Sequence, residues 1–184
     1  NNDGSLELHH LGDDLLPDME SGTIITQDLD FDGDVDILAC GSGEFKLLEN
    51  RFADSKHKII SWIEKDTFVE YGLSDCSLSY LRQNNSQFVF AQGSNISGEA
   101  TGLLFKINSL DDIELIDNIT GLIKGESSWV DIDLDGNYEL IVSGQNNESY
   151  SSSKSIYYSF NSTNLIFIQE LQNLTSSSFF STSI

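Results

Sequence analysis

The sequence predicts an all-β chain built from four-stranded antiparallel repeats. Its apolar runs are short, rich in Ile, Val, Phe and Tyr, and separated by Gly, Asn, Asp and Ser. No segment shows a convincing helical periodicity. A self-similar pattern recurs with a period of about 50 residues, and four short strands per repeat of that length is typical of a β-propeller blade.

The repeat is clearest in an acidic motif that occurs twice. ITQDLDFDGDVDILACG (25–41) and WVDIDLDGNYELIVSG (129–144) both contain D-x-D-x-D-G followed by [DN]-x-[DE] and an aliphatic run. The first aspartates, Asp28 and Asp131, lie 103 residues apart, which is twice the period. A middle copy is therefore expected to begin near residue 79.

The middle copy, SYLRQNNSQFVFAQGS (79–94), has lost its carboxylates. It aligns without gaps when Gln87 matches Asp36 and Glu139. Uncharged residues then take the places of three loop aspartates: Ser79, Leu81 and Gln83. The alignment predicts a degenerate loop here that binds no metal, followed by an intact strand.

The elements of the first repeat follow in order along the chain. We expect strands at 22–27, 35–41 and 44–50, with the acidic loop between the first two, and a fourth strand around 57–65. Strand-like runs that end in asparagine mark the third strand of each repeat, at Asn50, Asn108 and Asn161.

This phase divides the chain into three blades and two flanking strands. The blades are predicted at 22–72, 73–121 and 122–172. Residues 1–21 are expected to hold the last strand of a preceding blade, and 173–184 the first strand of a following one. Because propellers close with roughly four to eight blades, we expect a partial propeller. Its remaining blades would come from a longer polypeptide that contains this chain, or from partner chains.

The charge excludes several classes of partner. The chain has 30 acidic and nine basic residues among 184, a formal net charge of −21. Nucleic acid and anionic membranes require clustered Lys and Arg, so neither is expected as a partner. No apolar stretch approaches the roughly 20 residues of a membrane span, so no membrane insertion is expected. The acidic balance favours cations.

Aspartates at alternate positions of a tight loop suit a hard cation with six- to eight-fold oxygen coordination, of which calcium is the usual example. Positions 1, 3, 5 and 9 are expected to contribute side chains, and position 7 its backbone carbonyl. The first loop then supplies five ligands: Asp28, Asp30, Asp32, Asp34 and Asp36. The second supplies Asp131, Asp133, Asp135, Asn137 and Glu139. Two Ca²⁺ sites are therefore predicted.

Two other interpretations of the motif are weaker. An EF-hand loop begins in the same way but needs a bidentate Glu at position 12, where this chain has Ala39 or Val142 inside an apolar run. Asp-Gly alone is a hairpin signal, but simple turn chemistry does not require carboxylates at four matched positions in two copies. Unneutralised carboxylates at such short spacing repel one another.

The motif D-x-D-x-D-G-[DN]-x-[DE] between two short strands, at this period, resembles the FG-GAP/VCBS repeats of integrin α-chain-like propellers. The resemblance is specific in residues 28–36 and 131–139 and degenerate in the middle copy. It implies that the loops bind Ca²⁺ and stiffen the hairpin between the first two strands of a blade. It also implies an extracellular or cell-surface location.

The function expected is non-enzymatic: adhesion, or recognition of a protein or glycan ligand. The sequence contains no G-x-S-x-G, H-E-x-x-H or glycine-rich phosphate loop. Trp62 and Trp129 could stack on sugars, although packing between blades is the commoner role, and Trp129 directly precedes an expected core position. The alternatives are a scaffold or substrate-binding part of a larger secreted enzyme, and a spacer in a repetitive surface protein.

Cys40 and Cys76 could form one disulfide or remain as two buried thiols.

Overall fold

The structure, a computed structural model, describes residues 21–52, 56, 61–146 and 153–171. Within these residues the chain forms three four-stranded antiparallel sheets, which do not close on themselves. The all-β prediction and its four-stranded antiparallel units are confirmed. The predicted flanking strands fall almost wholly outside the described residues, as does the first half of the expected strand 57–65.

Each sheet is a simple meander in which consecutive strands pair. Sheet 1 contains β1 (Thr23–Gln27), β2 (Asp36–Gly41), β3 (Glu44–Asn50) and β4 (Trp62–Lys65). Sheet 2 contains β5 (Ser74–Gln83), β6 (Ser86–Ser94), β7 (Ala100–Ser109) and β8 (Asp112–Thr120). Sheet 3 contains β9 (Ser127–Val130), β10 (Glu139–Gln145), β11 (Ser153–Phe160) and β12 (Leu165–Glu170). A short 3₁₀-helix at Asp66–Tyr71, which was not predicted, joins sheets 1 and 2.

The three sheets stack face to face in chain order. One apolar cluster joins sheet 1 to sheet 2 and includes Leu38, Leu47 and Val89. A second cluster joins the opposite face of sheet 2 to sheet 3 and includes Phe90 and Leu140. Sheet 2 is therefore covered on both faces, which accounts for the nearly continuous burial of β6.

The first strands of successive sheets are neighbours. β1 contacts β5, and β5 contacts β9. Gln87 and Gln83, next to the β5–β6 turn, bond to Leu29 and Gly136 in the first-to-second-strand connections of sheets 1 and 3, so all three connections lie at one end of the stack. This arrangement places the two acidic loops on either side of the hairpin of sheet 2.

An aromatic cluster fills the space between sheets 1 and 2. Phe68, on the 3₁₀-helix, is fully buried and meets Phe45 edge-on at 4.4 Å between ring centroids. Phe105 lies 5.1 Å from Phe68 and 5.0 Å from Tyr71. Edge-to-face pairs at these distances stabilise packing beyond the area they bury, so the 3₁₀-helix closes the core between the two sheets.

The gapless alignment of the middle copy was wrong. Residues 79–83 form the end of strand β5 and not a loop, and a two-residue turn, Asn84–Asn85, connects β5 to β6. Both asparagines have positive φ, 51° and 62°, as a type I′ hairpin turn requires. Sheet 2 has therefore replaced the acidic loop with a tight turn and extended its strands.

Gln87 also occupies a different face from the residues it was aligned with. Alternate residues of a strand point to opposite faces. Asp36 shares its face with Leu38, which packs on sheet 2. Glu139 lies on the opposite face from its neighbour Leu140, and it is Leu140 that packs on sheet 2. Both carboxylates therefore point in the direction of the next sheet along the chain: Asp36 toward sheet 2, and Glu139 away from it. Gln87 shares its face with Val89 and points back to sheet 1. A one-residue slip accounts for this reversal.

A disulfide joins Cys40 on β2 to Cys76 on β5, with 6.0 Å between the Cα atoms. The sequence left this pairing open. The bond lies in the apolar cluster between sheets 1 and 2, and disulfides of this kind persist in oxidising compartments.

Loss of this disulfide is expected to cost stability. The two cysteines are 36 residues apart, and closing a loop of that length restricts the unfolded chain by about 3–4 kcal/mol. A Cys40→Ser, Cys76→Ser double variant should lower the free energy of unfolding by that order in urea denaturation at fixed Ca²⁺. A midpoint equal to that of the oxidised parent chain would show that the disulfide contributes nothing.

Candidate metal centre

Two acidic loops connect the first and second strands of sheets 1 and 3. Loop 1 comprises residues 28–36 and loop 2 residues 131–139, counting in each case the first residue of the following strand. β1 pairs Gln27 with Asp36, and β9 pairs Val130 with Glu139. The two loops therefore have the same length and leave the sheet at equivalent points.

The two loops also share a backbone conformation. Position 6 is glycine in both, with φ of 95° at Gly33 and 87° at Gly136, a region that residues with a Cβ rarely adopt. Position 4 has positive φ as well, 64° at Phe31 and 60° at Leu134. The sequence indicated the glycine but gave no signal for position 4. The backbone of the two loops therefore turns in the same way at positions 4 and 6.

The carboxylate at position 9 fastens the start of each loop. Asp36 accepts the N–H of Leu29 at 2.9 Å, and Glu139 accepts the N–H of Ile132 at 3.0 Å. Asp36 accepts a second backbone N–H, from Asn50 at the end of β3, at 3.0 Å. Both carboxylates are buried. Position 9 thus closes the loop while keeping its charge next to the other aspartates.

The structure brings together three of the predicted side chains in each loop. Carboxylate oxygens of positions 1, 3 and 9 lie within 4.8 Å of one another. They belong to Asp28, Asp30 and Asp36 in loop 1, and to Asp131, Asp133 and Glu139 in loop 2. Such spacing lets one cation contact all three oxygens at the 2.3–2.6 Å that is usual for calcium.

Position 5 lies outside both clusters. Asp32 is exposed and accepts the N–H of Asp34 at 3.0 Å. Asp135 is exposed and accepts the N–H of Asn137 at 2.7 Å and its side-chain amide at 3.0 Å. These hydrogen bonds hold both carboxylates against their own loop. The backbone carbonyls of Asp34 and Asn137 stay predicted ligands.

One buried carboxylate oxygen of loop 1 lacks a hydrogen-bond partner in the part of the chain that the structure describes. Asp28 Oδ1 is buried and has no hydrogen-bond partner among the described residues. An unpaired buried carboxylate oxygen is costly, and the Asp28 carboxylate also lies beside those of Asp30 and Asp36. A bound cation would supply the missing partner and neutralise the repulsion.

The environment of loop 1 disfavours its charged form. Burial raises the pKa of Asp36 to about 6, although the N–H groups of Asn50 and Leu29 act in the opposite direction, and the charges of Asp30 and Asp34 raise it further. Burial also raises the pKa of Asp30, as do the charges of Asp32 and Asp28. Without a cation, loop 1 therefore holds its negative charge at a cost.

The calcium affinity of loop 1 should fall as the pH is lowered through about 6. Asp36 must be deprotonated to bind a cation, so the affinity at pH 5 should be roughly tenfold below that at pH 7. For folding without metal, the raised pKa of Asp36 favours the folded state below its ordinary value of 3.8, and this contribution is lost by about pH 6. Calcium titrations of an Asp133→Asn variant across this range would test the prediction, and a constant dissociation constant would contradict it.

The two tryptophans differ in their degree of burial. Trp129 is buried and packs on Phe160, with 5.3 Å between ring centroids. Trp129 thus packs between sheets 2 and 3, the commoner of the two roles considered for it. The expected core position, Val130, is only partly buried, so Trp129 itself takes the core position of this strand. Trp62 is partly buried at the start of β4.

Comparison with known proteins identifies no relative of this chain. No protein-family model matches the chain, and neither curated proteins nor solved structures give a significant match.

Proposed function

We propose that the chain is a calcium-stabilised segment of a β-propeller in which loops 1 and 2 each bind one Ca²⁺. The observation that carries this proposal is the repetition of one carboxylate arrangement, positions 1, 3 and 9, in two sheets that are separated by a third. Two copies of a repulsive cluster with the same backbone conformation are difficult to explain without a ligand.

The propeller interpretation is supported by the stacking of the sheets and by what each leaves uncovered. Successive sheets contact through their first strands and pack face to face. Loop position 2 is Leu29 in sheet 1, where sheet 2 covers it and it is 1% exposed. In sheet 3 the equivalent Ile132 is 52% exposed. A following blade, from a longer polypeptide or a partner chain, would cover Ile132 as sheet 2 covers Leu29.

Calcium suits the loops better than magnesium. Each loop offers three clustered carboxylates, to which position 7 is predicted to add a backbone carbonyl, and Ca²⁺ accepts six to eight oxygens in irregular geometry. Mg²⁺ requires a near-octahedral shell and keeps several of its waters. The selectivity should therefore be in favour of Ca²⁺.

An extracellular role in adhesion, or in recognition of a protein or glycan, fits these properties. Multi-carboxylate loops of modest affinity are filled where calcium is millimolar, and the Cys40–Cys76 disulfide is consistent with an oxidising setting. Among the described residues, no helix has the length and apolar character to cross a bilayer. We propose no catalytic role, because the carboxylates are accounted for as cation ligands.

Titration calorimetry with Ca²⁺ and with Mg²⁺ tests the proposal. The parent chain should bind two Ca²⁺, and each should bind more tightly than Mg²⁺. Asp30→Asn and Asp133→Asn alter position 3 of loops 1 and 2, so each variant should lose one site and keep the other. A parent chain without calcium heats, or variants that both retain two sites, would contradict the proposal.

A further inference from the structure

Sheet 2 has no acidic loop of its own, but it contacts both of the others. Two of its buried glutamine side chains end on backbone carbonyls of the acidic loops. Gln87 donates from Nε2 to the carbonyl of Leu29 in loop 1 at 2.8 Å. Gln83 donates from Nε2 to the carbonyl of Gly136 in loop 2 at 3.2 Å.

The hydrogen bond from Gln87 holds one of the two peptide groups that flank Leu29, and Asp36 holds the other. The N–H of Leu29 donates to Asp36, and its carbonyl accepts from Gln87, so both peptide groups next to Leu29 are held. These peptides connect Asp28 to Asp30, two members of the loop 1 cluster. The side chain of Leu29 is buried in the same interface.

The orientation of the Gln87 amide is itself fixed. Its Oε1 accepts the hydroxyl of Tyr80 at 2.7 Å, which leaves Nε2 toward Leu29. Gln87 is 1% exposed, so water does not compete for either group. Arg82, beside the hairpin turn, adds a second contact by lying 4.6 Å from the ring centroid of Phe31 in loop 1.

Gln83 acts on loop 2 in a parallel way. The N–H of Gly136 donates to Asp131 at 3.0 Å, and the carbonyl of Gly136 accepts from Gln83. The peptide groups on both sides of position 6 are therefore held. The second of these leads into Asn137, the residue at position 7.

We propose that Gln87 and Gln83 are positioning residues for the two cation sites, Gln87 for loop 1 and Gln83 for loop 2. This inference rests on the proposed function, since it assigns residues that orient the ligands of the same sites. Hydrogen bonds to the residues around metal ligands commonly change affinity by roughly ten- to 100-fold. The hairpin of sheet 2, which has no acidic loop of its own, thus supports the acidic loops on either side of it.

The experiment measures Ca²⁺ dissociation constants in single-site backgrounds of the full chain. Asp133→Asn leaves loop 1, and Asp30→Asn leaves loop 2. In these backgrounds Gln87→Met should weaken loop 1 by roughly tenfold or more and leave loop 2 within about twofold. Gln83→Met should weaken loop 2 and spare loop 1. Methionine keeps the volume and cannot donate.

Gln92→Met is the matched control. Gln92 is also 1% exposed and lies on β6, but it bonds the carbonyl of Ser143 and the N–H of Leu122, away from both loops. A purely structural role predicts that all three variants affect both loops alike, and that result would overturn the inference. Should Gln87→Met fail to fold, Tyr80→Phe removes the hydroxyl that orients the Gln87 amide and should weaken loop 1 while sparing loop 2.

Failure of the inference and failure of the proposed function give different results. If the parent chain binds two Ca²⁺ and the glutamine variants bind as the Gln92→Met control does, the inference alone is wrong. If the parent chain binds no Ca²⁺, the proposed function is wrong and the inference is overturned with it.

Discussion

Removal of Ca²⁺ is expected to lower the free energy of unfolding by roughly 3 kcal/mol or more when free Ca²⁺ exceeds the dissociation constants about 100-fold. Binding to the folded chain alone stabilises it by mass action. The clusters at Asp28, Asp30 and Asp36 and at Asp131, Asp133 and Glu139 also repel when empty. Urea denaturation with Ca²⁺ and with excess chelator measures the difference.

The matching control is a chain with both clusters disabled. An Asp30→Asn, Asp133→Asn double variant should show almost the same urea midpoint with Ca²⁺ as with chelator, because neither loop then has its three carboxylates. A parent chain whose midpoint does not respond to chelator would contradict the prediction. So would a double variant that responds as strongly as the parent chain.

Phe105→Ala is expected to destabilise the folded chain by about 3–5 kcal/mol, the usual cost of truncating a buried phenylalanine. Phe105 is fully buried and meets Phe45, Phe68 and Tyr71 in the cluster between sheets 1 and 2. Its removal leaves a cavity lined by rigid rings that cannot collapse into it. Since domains of this kind are stable by about 5–15 kcal/mol, the loss should be visible in thermal unfolding.

Phe167→Ala is the control for this substitution. Phe167 lies on β12 and is 59% exposed, so little buried area is lost and the cost should stay below about 1 kcal/mol. Equal destabilisation by the two variants would contradict the described packing of sheets 1 and 2.

The first sheet could be predicted closely because local signals mark its boundaries. The strands expected at 22–27, 35–41 and 44–50 correspond to β1, β2 and β3 within one residue at each end. Asp-Gly and Ser-Gly dipeptides mark the turns, and alternating apolar residues mark the face of each strand. The side chains expected as ligands at positions 1, 3, 5 and 9 of the acidic motif include all six clustered carboxylates, and they also include Asp32 and Asp135, which lie outside the clusters.

The middle sheet could not be predicted in the same way. The repeat pattern contains no signal that, of the eight positions aligned with the loop at 28–35, six belong to strands in sheet 2 and only Asn84–Asn85 form a turn. A shift of one residue exchanges the two faces of a strand, and periodicity alone does not distinguish the faces of a strand that is buried on both. The contacts of Gln83 and Gln87 are long-range, so their partners in the acidic loops could be identified only from the fold.

We expect one cation within each acidic loop. Diffraction from crystals of the chain grown with Ca²⁺, with an anomalous difference map recorded at long wavelength, locates bound calcium directly. We predict two peaks per chain, one next to Asp28, Asp30 and Asp36 and the other next to Asp131, Asp133 and Glu139. A map without a peak at either cluster, in crystals that hold Ca²⁺ at millimolar concentration, would contradict calcium binding by the two loops.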